Sequence, residues 1–210
     1  HPEYLITEME TSRGCAYRCS FCTEPLYGSP DFREPDSVIG EVQALSDHGV
    51  RNFRLGRQAD LLAYGGDGKR PNPDALRELY RGIREVAPDL KTLHLDNVNP
   101  ITVVEWPERA REGIEVIAEH NTPGDTAAFG LESADPVVQE ENNLNVTAEE
   151  CFRAIEILNE AGGFRPGTSE SGPRRLPKLL PGVNFVHGLA GEREETFEHN
   201  RQFLQRVLEE

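Results

Sequence analysis

Five times along this 210-residue chain a short β-rich run is followed by a longer amphipathic segment. The runs at 4–9, 51–55, 92–96, 127–132 and 183–187 read as strands. The segments at 35–47, 74–86, 108–120, 147–161 and 194–208 read as helices. In the first helix Val38, Ile39, Val42 and Leu45 recur at helical spacing, and Gly49 is its stop signal. Leu76, Leu79, Tyr80 and Ile83 share one face of the second. Thr147 and Glu150 make a capping box at the start of the fourth. Five strand–helix units in succession imply an α/β fold with a parallel sheet and right-handed crossovers. Ligands of such sheets bind at the carboxyl ends of the strands. An apolar content of 37% over this length suits one domain, residues 1–210, with a sizeable core.

Directly after the first strand comes Gly14-Cys15-Ala16-Tyr17-Arg18-Cys19-Ser20-Phe21-Cys22. Three thiolates at C-x3-C-x2-C spacing can hold three irons of a [4Fe-4S] cube. The fourth iron is then open to a substrate or cofactor. Zinc held by three cysteines and a histidine is the other metal reading, and the nearest histidines are His1 and His48. Disulfide pairing leaves an odd thiol. Cys151, among Phe152, Ile155 and Leu158, reads as a small buried hydrophobe.

The cysteine spacing, with an aromatic residue before the third cysteine, resembles the signature of the radical SAM superfamily. That resemblance implies a partial (β/α)6 TIM-like barrel with five units present. It also implies a [4Fe-4S] cluster on Cys15, Cys19 and Cys22, whose open iron chelates S-adenosylmethionine. Reductive cleavage would release a 5′-deoxyadenosyl radical for hydrogen abstraction. Phe21 would lie by the adenine. Gly188-Leu189-Ala190-Gly191-Glu192, at the end of the fifth strand, resembles the family's G-L-P-G-E turn beneath the adenine, with Ala190 in place of proline. Gly130-Leu131-Glu132-Ser133 resembles a G-L-E-S segment that contacts the cofactor; Ser133 read by itself is a helix cap. Gly56-Arg57-Gln58 stands where many members have G-G-E, and with Tyr64-Gly65 it is similar to a stretch of methylthiotransferases. Gly56, Glu132, Ser133, Gly188 and Gly191 are therefore the implied S-adenosylmethionine contacts. Asp96, Asn97 and Asn99 either meet substrate at the barrel mouth or form an Asx turn. His94 and His187 read as packed core histidines.

The formal charge is −15, with 37 acidic residues against 22 basic ones, and only Lys69, Lys91 and Lys178 are lysines. Such a surface resembles that of proteins from salt-loving archaea. It argues against a broad nucleic-acid surface. Insertions at 56–73 and 162–182 break the regular spacing. The first is expected on the active face and the second on the opposite one. The second carries Arg165, Arg174, Arg175 and Lys178, read as a solvated loop or a partner contact. No apolar run approaches about 18 residues, no signal peptide is visible, and the cysteine usage fits a reducing cytoplasm.

The resemblance further implies a flavodoxin- or ferredoxin-like one-electron donor. It groups the chain with archaeal Fe-S oxidoreductases and methylthiotransferase-like enzymes. The chain opens at His1, and the reading is an excerpt whose sixth strand and accessory domains lie outside it. A tRNA methylthiotransferase, meeting RNA through those outside parts, is one alternative. A non-catalytic iron–sulfur electron-transfer module is another.

Overall fold

The computed structural model describes residues 5–163 and 176–209. Seven strands and seven α-helices lie among them. The strands are β1 (Thr7–Glu10), β2 (Ser12–Arg13), β3 (Asp31–Phe32), β4 (Asn52–Gly56), β5 (Thr92–Leu95), β6 (Asp125–Glu132) and β7 (Leu179–Phe185). The helices are α1 (Pro35–Asp47), α2 (Pro73–Val86), α3 (Pro100–Glu105), α4 (Pro107–His120), α5 (Pro136–Glu141), α6 (Ala148–Gly162) and α7 (Glu194–Glu209). A 3-10 turn covers Glu24–Tyr27.

Strands β1, β4 and β5 pair in parallel, with Met9 opposite Leu55 and Leu55 opposite Leu95. Strands β6 and β7 form a second parallel pair, with Phe129 opposite Val183. A parallel bridge between Asn97 and Ala128 joins the two groups. Below it the Asp125 carboxylate accepts the Leu95 backbone N–H, so a side chain completes the ladder where the strands diverge. The result is the side-by-side order of a partial, open barrel.

Period-two alternation decides what each face of the sheet does. Met9, Phe53, Leu55, Leu93, Leu95, Ala127, Phe129 and Leu131 are all buried in the main core. Against them pack Leu76, Leu79, Tyr80 and Ile83 of α2, Ile114 and Ile117 of α4, and Ile155 and Leu158 of α6. Burying each such side chain contributes about 1.5–3 kcal/mol. The alternate residues, Glu8, Arg54, His94, Asp96, Ala128, Gly130 and Glu132, are left for the barrel interior. Cys151 is fully buried in α6, as its apolar neighbours suggested.

Several boundaries differ from the sequence reading. The fifth strand runs Leu179–Phe185 rather than 183–187, starting four residues early through Pro181 at the sheet edge. His187 therefore lies beyond the strand, exposed rather than in the core, and stacks on Phe197 with ring centroids 5.5 Å apart. His94, in β5, is half-buried on the interior face rather than packed in the core. The fourth strand begins at Asp125 rather than Ala127. Helices α3 and α5 are additional; each is short, begins with proline and is capped by Asn99 or Asp135. The capping box at Thr147 and Glu150 is present. Between Gly56, the last residue of β4, and Pro73, the first of α2, the insertion forms no helix or strand, yet Leu61, Leu62, Ala63 and Tyr64 are buried. In the second insertion Arg165, Arg174 and Arg175 lie outside the described residues, and Lys178 Nζ donates to the Asn121 carbonyl at 2.5 Å.

Candidate functional site

The cysteine loop is closed at its base by a two-stranded antiparallel ribbon, β2 with β3, in the register Ser12–Phe32 and Arg13–Asp31. Gly14 starts the loop with φ +83°. The Cys15 N–H donates to the Gly28 carbonyl at 3.3 Å. A Cβ on Gly14 would stand 2.6 Å from the Ser29 carbonyl oxygen, so only glycine allows this closure. Tyr64 braces the ribbon by donating its hydroxyl to the Arg33 carbonyl at 2.6 Å.

Cys15, Cys19 and Cys22 are half-buried and all line one cavity of about 360 Å³. The opposite walls come from the carboxyl ends of the strands. Strand β1 contributes Glu8; the segment after β4 contributes Arg57, Gln58 and Ala59; the segment after β5 contributes Asp96, Asn97, Val98 and Asn99. Strand β6 contributes Ala128, Gly130 and Glu132, and β7 contributes Asn184. Tyr17, Phe21, Glu24 and Asn145 complete the lining. Residues more than 160 positions apart thus meet at the face where parallel strands present ligands.

The donor set fits an iron–sulfur cluster. The Tyr17 N–H points at Cys15 Sγ, 3.4 Å away, the kind of contact that supports a thiolate ligand. Burial pushes the Cys15 and Cys19 thiols up, and metal binding releases such protons. Among the described residues no three His, Cys, Asp or Glu side chains gather round one ion-sized point. Three thiols lining one cavity are the donor type that a [4Fe-4S] cluster takes.

Glu132 is the most perturbed carboxyl in the cavity: burial pushes it up to about 7. Its backbone is left-handed, φ +64°, as is that of Arg57 across the cavity, φ +52°. Non-glycine residues held in this region cost about 1–3 kcal/mol and cluster at functional sites. Asp96 is paired with Arg54 across β4 and β5. Asn99 caps α3, accepting the Ile101 N–H at 3.2 Å, so the Asx reading of this stretch holds while Asn99 also lines the cavity.

Of the residues singled out from sequence, Cys15, Cys19, Cys22, Phe21 and Glu132 share this cavity. Gly56, Ser133, Gly188 and Gly191 are not among its lining residues. The Gly56 carbonyl accepts the Thr11 N–H at 3.3 Å. Ser133 is buried, and its Oγ accepts the Asp135 N–H at 3.2 Å, at the entry to α5. Gly188 and Gly191 lie in the turn after β7 with φ +82° and +76°, and the Gly188 N–H donates to Glu192. Glu8, Asn145 and Asn184 were missed. Glu8 could have been found by alternation, since it precedes buried Met9. Asn184 lay inside the expected fifth strand, where alternation with Val183 and Phe185 could have found it.

Comparison with known proteins bears on the family and the fold. The radical SAM superfamily profile matches residues 9–204. An uncharacterised protein of Archaeoglobus fulgidus is 49% identical over all of this chain and 39% of its own length. One from Methanocaldococcus jannaschii is 40% identical over 100% of this chain and 40% of its own. Ribosomal protein uS12 methylthiotransferase RimO of Synechococcus elongatus is 28% identical over 96% of this chain and 39% of its own. The chain thus spans about two-fifths of the length of the curated relatives it matches. In fold it is similar to the cobalamin-dependent S-adenosylmethionine radical enzyme OxsB, with a TM-score of 0.69 at 16% identity over 96% of this chain and 26% of that one. It is also similar to the radical SAM enzyme HemN from Escherichia coli, with a TM-score of 0.57 at 14% identity over 99% of this chain and 43% of that one. With the matched profile covering nearly its whole length, this chain belongs to the radical SAM superfamily.

Proposed function

We propose that this chain is the core of an enzyme that holds a [4Fe-4S] cluster on Cys15, Cys19 and Cys22 and uses it with S-adenosylmethionine. Held by these three residues, such a cluster would supply the one-electron reduction of the S-adenosylmethionine sulfonium that leads to hydrogen abstraction from a substrate. The observation that carries this reading is the shared cavity at the carboxyl ends of the parallel strands, lined by three thiols together with Glu132 and Phe21.

The chain's own residues have distinct tasks. Phe21 offers an aromatic face to the adenine. Glu132 offers a carboxylate to hydroxyl or ammonium donors, a charge-assisted bond strengthened by its burial. Gly56, Ser133, Gly188 and Gly191 serve through backbone or small side chains from the neighbouring turns. Asp96, Asn97, Asn99 and Asn184 face the remaining space, where a polar substrate would be oriented. Reduction requires a one-electron donor, of flavodoxin or ferredoxin type.

The test is anaerobic reconstitution with iron and sulfide, chemical reduction and addition of S-adenosylmethionine. Formation of 5′-deoxyadenosine and methionine supports the reading. A loaded, reduced cluster that yields neither product favours an electron-transfer module.

The RimO relatives favour one second reading, a methylthiotransferase. Gln58, Tyr64 and Gly65 supply its local likeness, and Gln58 lines the cavity. Transfer of a methylthio group to a substrate, a ribosomal protein in the RimO relatives, would separate it from simple hydrogen abstraction.

A further inference from the structure

Residues Asn142-Asn143-Leu144-Asn145, between α5 and α6, touch the cysteine loop and the turn after β7 at once. The Asn142 carbonyl accepts the Ser20 N–H at 2.9 Å. The Asn143 amide donates to the Arg18 carbonyl at 2.8 Å. The middle of the cysteine loop is therefore held on both sides of Cys19. The Asn142 side chain reaches the other way. Its Nδ2 donates to the Ala190 carbonyl at 2.8 Å, and its Oδ1 accepts the Ala190 N–H at 3.3 Å. The same Nδ2 donates to Val138 in α5, which fixes the orientation of the amide. Asn142 is 4% exposed, so water competes little for these bonds.

This arrangement has a physical consequence. The cysteine loop and the turn at 188–192 are separated by more than 160 residues and belong to opposite ends of the sheet. Two such loops drift independently unless something spans them, and sites need groups held to within about 0.5 Å. Asn142 spans them with one residue, its backbone on one loop and its side chain on the other. Asn143 adopts φ +50°, a left-handed conformation that asparagine tolerates, and that twist lets successive residues face the same loop.

We infer that Asn142 and Asn143 are positioning residues that keep the cysteine loop and the 188–192 turn in one fixed register. The inference rests on the radical SAM reading of the site, since it assigns the loop to the cluster and the turn to S-adenosylmethionine. Asn142 aligns the two, and Asn143 steadies the loop alone.

The test uses the reconstituted chain as wild type, N142A and N143G; glycine removes the amide while accepting the left-handed backbone. Iron per chain, melting temperature, cofactor affinity from the paramagnetic signal, and the rate of iron release to a chelator are measured. The expected result for N142A is full iron loading with S-adenosylmethionine affinity lowered about ten-fold, the scale of one or two lost hydrogen bonds. For N143G it is faster iron release at an unchanged melting temperature. Wild-type affinity in N142A overturns its role, as does a loss of affinity that only follows unfolding. A wild-type release rate in N143G overturns the hold on the loop, and that arm stands even where N142A fails to fold. If the wild-type cluster ignores S-adenosylmethionine, the functional reading fails instead, while the release rate still reports on the clamp.

Discussion

Glu132 arches back over Gly130: a Cβ added to Gly130 would stand 2.5 Å from the Glu132 Oε1 atom. The two residues line the same cavity, and a register shift in the β6–β7 pairing falls between them. The glycine leaves room for the carboxylate to lie in the cavity. G130A pushes the far end of a flexible side chain, so the strand survives while the carboxylate moves. The expected outcome is a melting temperature close to wild type and S-adenosylmethionine binding weaker by about ten-fold, the scale of one charged hydrogen bond. Equal affinity in a titration of the two proteins would show that Glu132 does not serve the cofactor.

The same carboxyl makes stability depend on pH. Burial raises it from 4.5 to about 7. Between those values the folded chain binds more protons at this site than the unfolded chain, so stability is fully present below about pH 4.5 and is lost as pH rises through about 7. Asp60 and Asp125, also pushed up to about 7 by burial, act in the same direction. The prediction therefore concerns a difference: in the iron-free chain, E132Q loses less stability over this range than wild type. Parallel denaturation curves for the two across that range would contradict it.

Gly14→Ala should damage the cysteine loop itself. The added Cβ meets backbone oxygens of Gly28 and Ser29 at 2.7 and 2.6 Å, and φ is +83°. Neither oxygen can swing away as a side chain can. The strain is about 1–3 kcal/mol, and it falls on the turn that sets Cys15. Iron content after reconstitution should drop well below one cluster per chain, and full loading would contradict the assigned role of this turn.

The four cysteines should separate cleanly. Serine at Cys15, Cys19 or Cys22 should abolish stable iron loading. Cys151 lies fully buried in α6, where burial pushes its thiol up to about 12. C151S should keep its iron but lose about 1–3 kcal/mol of stability, because a hydroxyl replaces a thiol in an apolar setting. Loss of iron in C151S would place that residue in the cluster chemistry.

The charge of −15 predicts salt dependence. Raising salt from about 0.1 M to about 1 M shortens the screening length from about 10 Å to about 3 Å. The melting temperature should rise over that range. A flat response would remove the halophilic interpretation of the composition.

How much of this was legible in the sequence follows from what kind of force shapes each part. Alternation and helical spacing report burial, so Met9, Phe53, Leu93 and the apolar face of α2 were readable, and with them the parallel order. The cysteine motif was readable because three thiols at fixed spacing have few uses. Short helices α3 and α5 were not, since six residues carry too little periodicity and their proline starts look like loop punctuation. The early start of β7 was masked by Pro181, which a sheet edge tolerates. The grip of Asn142 on Ala190 was invisible because it joins residues 48 positions apart through polar atoms, and no local pattern reports such a contact. Glu132 was found by likeness to a family segment, whereas its left-handed backbone needed the structure.

The most direct measurement is electron paramagnetic resonance on the reduced, anaerobically reconstituted chain in high salt, with and without S-adenosylmethionine. The account predicts a [4Fe-4S] signal that changes when S-adenosylmethionine is added, because the iron left without a cysteine is where it binds. A cluster signal identical in both samples, from folded protein, would contradict the proposed chemistry, and stoichiometric zinc with no such signal would contradict the cluster itself.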